Sequence, residues 1–281
     1  MGSTLKHPAI VAAARLRDTT VIETLYELPI RTLAFWAAIV FVGYCWLGGT
    51  LLRPILRPFV RARGGSNEIV GHVLSSFGVF YGLLLGLIAV AAYQNFTRVE
   101  SSVVQEVSSL ETLYEGVSTF PEPDGQNLRW LLRDYTRWVI KYGWPAYQQG
   151  DIPEQGATKL KAFHERMLAF EPQSRTEELV FAETLRQFNV FLDKQRVREQ
   201  SVITGIPHIM WYVVVVGAIL NIALFWLFDI RYVTMMFLGG VLSIFLGAMI
   251  LLIAVMDNPF RGAVSISSQP FETLYWERMR D

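Results

Sequence analysis

Four stretches of the chain run for more than about 20 residues without Asp, Glu, Lys or Arg. They lie between Arg31 and Arg53, Glu68 and Arg98, Glu199 and Asp229, and Arg231 and Asp257. Each is long enough for a helix to cross a hydrocarbon core about 30 Å thick. The positions between Arg98 and Glu199 read differently. Apolar residues return every three or four positions and polar residues fill the gaps, the pattern of helices with one buried face. No period-two alternation argues for a strand. The fold class expected is all-α: a four-transmembrane-helix membrane protein whose long span-two helix extends into a helical extramembrane domain.

Local signals divide the chain further. Residues 8–28 form a short amphipathic helix stopped by Pro29. Span one ends at Gly48-Gly49, ahead of Pro54 and Pro58. Span two continues past the membrane, because neither Pro nor Gly interrupts Leu87 to Glu115. Along it Val103, Val107, Leu110, Tyr114 and Val117 step by four, three, four and three, which makes an a/d seam. A helix from residue 70 to 118 would be about 70 Å long. Gly116 and Pro121 end it. Three more helices follow: one after Asp124 as N-cap, one over 154–170, and one over 174–198 opened by a Ser174–Glu177 capping box. Span three starts at Pro207. Asp229-Ile230-Arg231 makes a tight hairpin, and Asp257-Asn258-Pro259 closes span four. The domains are thus residues 1–30, an amphipathic tail; 31–97, spans one and two; 98–200, the extramembrane domain with its stalk; 201–257, spans three and four; and 258–281, a tail.

One phrase recurs. The sequence ETLY follows an apolar residue in 22–27, 110–115 and 271–276. Four crossings put all three copies on one side. Amphipathic spacing accounts for them as helix faces, and their sharper reading is three similar segments packed together beside the membrane.

Charge and composition remove several function classes. The 281 residues balance 25 Lys and Arg against 25 Asp and Glu, so no nucleic-acid partner is expected. Cys45 is the one cysteine, which excludes an intrachain disulfide. No charge lies deep in a span, against an ion-coupled transporter. Walker, GxSxG, HExxH and dinucleotide motifs are missing, so no catalytic residue, metal site or cofactor is expected. His72 and His208 near span ends read as structural. Arg53, Arg57, Arg61 and Arg63 crowd one loop, whereas the larger total of Lys and Arg lies with the tails. That total, with no apolar leader, is the ground for expecting the tails and extramembrane domain in the cytoplasm.

The candidate chemistry lies in small and polar residues. Gly78, Gly82 and Gly86 form an i, i+4, i+8 stripe on span two. Gly239, Ser243 and Gly247 repeat the spacing on span four as helix-packing candidates. Small residues let helices approach closely in lipid, within a chain or between copies around an axis. Gly86, Tyr93 and Glu100 are seven apart and stay within about 40° of one line on the helix. In a homo-oligomer with span two at the axis, Glu100 would form a ring of carboxylates, which attracts cations. A solvated stalk residue, or one paired with Arg98 or Arg196, is the plainer alternative. Asn95, Asp257 and Asn258 reach the same level as pore-mouth candidates. Asp257 could also pair with Arg261 or simply mark the water boundary.

Several motifs in order, AVAAYQNFTRVESSVVQEVSSLETLY, LLRDYTRWVI, GWPAYQQG, GIPHIMW and DNPFRGAVSISSQPF, resemble the bestrophin-like domain of bacterial membrane proteins. The likeness runs from Ile69 to Phe271. It implies kinship with bestrophins: oligomeric, calcium-gated anion channels with a long pore-lining second helix and cytosolic helices. This chain has no clustered acidic run of the calcium-clasp kind, and Phe77 and Phe80 depart from the hydrophobic-neck spacing. Architecture therefore carries over and calcium gating does not. The function expected is a homo-oligomeric ion channel, with the lipid bilayer and inorganic ions as partners. A non-conducting scaffold or sensor is the alternative.

Overall fold

The computed structural model describes residues 29–55, 66–262 and 264–280, and its regular structure is helical throughout. The tail helix expected over 8–28, the first ETLY copy and the loop arginines Arg57, Arg61 and Arg63 lie outside the described residues. The helices are α1 (Ile30–Leu51), α2 (Ser66–Ser118), α3 (Asp124–Trp138), α4 (Trp144–Gln149), α5 (Gln155–Leu168), α6 (Arg175–Ile203), α7 (His208–Phe225), α8 (Tyr232–Asp257) and α9 (Gln269–Arg278). Four helical stretches are long and apolar enough to cross a membrane, and they carry the four uncharged runs.

The chain divides into two compact units. One comprises residues up to 94 together with 206–257. It contains α1, the first part of α2, α7 and α8. Its core gathers Cys45, Tyr81, Leu85, Ile88, Val214, Ile222, Trp226, Leu246 and Ile253. The hairpin between α7 and α8 is held by side chains from other helices. Arg53 donates to the carbonyls of Phe228 (3.3 Å) and Ile230 (2.5 Å). The Asn67 amide both donates to the Asp229 carbonyl (3.2 Å) and accepts from its N–H (2.8 Å). These groups satisfy backbone left open where helices end.

The other unit comprises residues 95–205 and 258–281. The seam of α2 is its spine: Val103, Leu110, Tyr114 and Val117 are buried, and Val107 packs against the same core. The seam does not meet a single partner helix as in a two-stranded coil. It is enclosed by residues of α3, α4, α5, α6 and α9. Two local details differ from expectation. Asp124 is not the N-cap of α3; Pro123 precedes the helix, and the Asp124 carboxylate in the first turn accepts from Arg166 of α5. A π-helical turn at Val139–Gly143 links α3 to α4. A Cβ on Gly143 would meet the Trp138 ring at 3.2 Å, so the bare backbone suits this crowded turn. At the start of α6, Ser174 does cap the Glu177 N–H (3.2 Å). The return bond from Glu177 goes to the Gln173 N–H (2.7 Å), one residue earlier than in the usual box.

Two ETLY copies are described, on α2 and α9, and they enter one core. Leu110, Leu113, Phe271 and Leu274 are buried there. Glu111 of the α2 copy pairs with Arg278 at the end of α9 (3.2 Å). The tyrosines meet arginines one turn apart on α3: Arg133 lies 5.9 Å from the Tyr114 ring centroid and Arg137 lies 6.0 Å from that of Tyr275. For these copies the phrase marks two helix faces presented to α3.

Candidate functional site

The glycines of the membrane unit fall into two groups. In the first, a side chain of the same chain occupies the space above the glycine. A Cβ on Gly48 would lie 2.0 Å from the Trp226 ring, whose Nε1 donates to the Cys45 carbonyl (3.1 Å). On Gly217 it would lie 2.2 Å from the Tyr81 ring, whose hydroxyl donates to the Val214 carbonyl (2.7 Å). On Gly239 it would lie 2.7 Å from Cys45 Sγ, and on Gly247 3.2 Å from Phe41. Ser243 between them is fully buried. The α8 stripe therefore faces α1.

The second group is Gly43 of α1 and, on α2, Gly78, Gly82 and Gly86. Among the described residues, an added Cβ on any of them meets nothing within 4 Å. Apolar side chains beside them on α2 are also uncovered: Phe80 is 73% and Leu83 61% exposed. Tyr81 and Leu85 turn into the core. α2 thus has one face packed within the chain and one face open to lipid or to another molecule.

Beyond the apolar run, Tyr93 and Glu100 are exposed on the same helix. Asn95 lines a small cavity of about 190 Å³ with Arg98, Gln200 and Thr204. Arg196, weighed as a partner for Glu100, lies 3.5 Å from Asp193 instead. Both carboxylate oxygens of Asp257 are engaged, one by the Ile206 N–H and one by Trp211 Nε1 (3.1 Å). Asp257 therefore secures the chain entering α7. Arg261, weighed as its partner, donates to the Gln149 carbonyl. That contact passes over Gly150, which has φ +77° and no room for a side chain. Asn258 follows at the start of the C-terminal segment.

The extramembrane unit contains a centre that the sequence reading missed. Glu106 of α2 and Arg198 of α6 are both fully buried, with Arg198 Nε donating to Glu106 Oε2 at 2.7 Å. Arg198 Nη2 donates to the Tyr135 hydroxyl (3.2 Å). The guanidinium also lies over the rings of Tyr147 (4.7 Å), Phe271 (5.6 Å) and Trp144 (5.9 Å). Trp144 in turn donates to the Ile266 carbonyl (3.0 Å) and packs on Phe260. The segments VVQEVSSL, LLRDYTRWVI, GWPAYQQG and DNPFRGAVSISSQPF, far apart in sequence, converge on one guanidinium. A signal was present. Phe188, Phe191, Gln195, Arg198 and Val202 step by three and four along α6, which places Arg198 on the buried stripe.

A family model described as the Bestrophin-like domain matches residues 38–271. The chain belongs to the Bestrophin-like domain family. No curated protein matches the sequence. Among solved structures, a bacterial bestrophin homolog from Klebsiella pneumoniae is similar over 85% of this chain and 98% of its own, with 12% identity and a TM-score of 0.58. A single-substitution variant of a Klebsiella pneumoniae homolog matches over 86% and 99%, with 13% identity and a TM-score of 0.59. At such identity the likeness is one of fold.

Electrostatics in this Bestrophin-like chain concentrate at the same centre. Burial pushes the Glu106 carboxyl above its ordinary value, against the pull of Arg198. Burial also works against the charge on Arg198, but Glu106, Tyr135 and Tyr147 outweigh it and the guanidinium stays protonated. Burial raises the Tyr135 and Tyr147 hydroxyls, so both remain neutral.

Proposed function

We propose that this chain is one subunit of a homo-oligomeric ion channel in the bacterial inner membrane, with α2 lining the conduction path. The observation that carries the reading is the open glycine face of α2. Three small residues on one line favour close approach of helices. The α8 stripe meets a neighbour within its own chain, whereas Gly78, Gly82 and Gly86 meet none among the described residues. Packed around an axis, this face gives a wall of backbone and small side chains. Tyr93 and Glu100 continue its line on one uninterrupted helix. The Bestrophin-like family and the bestrophin fold support the same reading.

Ions that pass Glu100 would meet a ring of carboxylates. Asn95 and Asn258 remain candidates for the mouth. Asp257, held on both oxygens, acts there as a support. The termini and extramembrane helices are placed in the cytoplasm.

Planar-bilayer recording of the purified protein under a salt gradient, beside Glu100→Gln, tests the assignment. Currents are expected in both, with a shifted reversal potential in the variant. Currents indifferent to the substitution would remove Glu100 from the path. Silence from folded protein would favour a non-conducting scaffold.

A further inference from the structure

Three polar atoms of the buried centre have no hydrogen-bond partner: Glu106 Oε1, Arg198 Nη1 and the Tyr147 hydroxyl. Buried polar atoms nearly always find partners, so three in one cluster is unusual. The cluster also holds two carboxyls and one cation. Glu106 pairs directly with Arg198, and Glu199, half-buried on α6, interacts with both charges. The groups that face Glu106 from the other elements are the neutral Tyr135 of α3 and Tyr147 of α4. From α9 the cluster receives only the ring of Phe271. One guanidinium faces both carboxylates, and Gln195 adds a hydrogen bond to Glu199 alone. In a buried site the remedy is to take up a proton.

We propose that Glu106 is a buried proton-binding site of the extramembrane unit, exchanging between a carboxylate paired with Arg198 and a neutral acid. The proton comes from solvent and forms an O–H bond on the Glu106 carboxyl. The cluster then passes from one net negative charge to neutrality, and Glu199 becomes the counter-charge of Arg198. Full burial assigns the proton to Glu106, since half-exposed Glu199 keeps contact with water that supports its charge. The unpartnered Glu106 oxygen and Tyr147 hydroxyl supply hydrogen-bonding capacity for the neutral form. The site lies where α2, which also runs into the membrane, meets α6, which leads to span three.

The direction of the pH effect follows from burial. A carboxyl whose folded value is raised contributes stability that is fully present below its unfolded value and is lost as pH rises through the folded value. Acidification from neutral pH therefore tightens this unit.

Infrared difference spectra of the full-length protein in lipid, taken between about pH 8 and about pH 5, test the site without needing a current. The wild type is expected to gain a protonated-carboxyl stretch on acidification, and Glu106→Gln to lack it. No such band in the wild type, or the same band in the variant, would overturn the assignment. Should Glu106→Gln fail to fold, Glu199→Gln replaces it as the test. Removing the second carboxylate should lower the midpoint of the band by about one pH unit, a tenfold change in proton concentration. An unmoved midpoint would overturn the proposal.

Discussion

The stripe Gly239, Ser243 and Gly247 on α8 and the stripe Gly78, Gly82 and Gly86 on α2 share one spacing and have different neighbours. The first receives Cys45 and Phe41 of α1; the second receives nothing from the described residues. Small residues every fourth position establish that a helix permits close approach. They do not say which surface approaches. The comparison separates glycines that the monomer needs in order to pack from glycines that it leaves open, and the open ones carry the functional reading.

The fully buried ion pair of Arg198 and Glu106 lies outside the membrane unit and should give the largest effect. Arg198→Ala removes a side chain that touches five others and leaves Glu106 buried beside a void. A loss of about 3–5 kcal/mol is expected, seen as a large drop in the unfolding midpoint or failure to fold. A smaller and more direct contrast comes from adding one methyl group at each kind of glycine. Gly217→Ala pushes into the Tyr81 ring, which is tethered through its hydroxyl, and should cost about 1–3 kcal/mol. Gly82→Ala meets open space and gains helix propensity, so stability should hold or rise by up to about 1 kcal/mol. Parallel thermal unfolding of the two variants checks both. Equal losses would erase the distinction.

Much of the architecture was legible in the sequence because its signals are local. Uncharged runs of sufficient length mark the four spans, and the seam from Val103 to Val117 marks the continuation of α2 into the second unit. Ser174 announced the start of α6 because a cap acts on the next turn. Asp124 misled because acidic residues suit the first turn as well as the cap. The π-turn at Val139–Gly143 left no sequence signal, since it depends on how Trp138 and Tyr147 crowd a glycine.

The candidate site was legible only in part. Partners are long-range facts, and four-residue spacing does not contain them. Arg53 read as one charge of a crowded loop, yet it clamps a hairpin; Arg198 centres a core. Asp257 read as a pore mouth or a water boundary, and its carboxylate is held by Ile206 and Trp211. A charged residue in step with buried phenylalanines, as Arg198 is, was the clue to a structural centre. Glu106 gave its own hint, three residues after Val103 and four before Leu110 on the buried side of α2.

The central claim is that the α2 glycine face serves an assembly and the α8 stripe serves the single chain. Its most direct test compares Gly82→Leu with Gly247→Leu, reading the unfolding midpoint, the subunit number in lipid and the planar-bilayer current for each. Gly247→Leu should fail to fold or unfold far below the wild type. Gly82→Leu should insert and retain its helices while its subunit number or current changes. A Gly82→Leu protein with wild-type assembly and wild-type current would contradict the account.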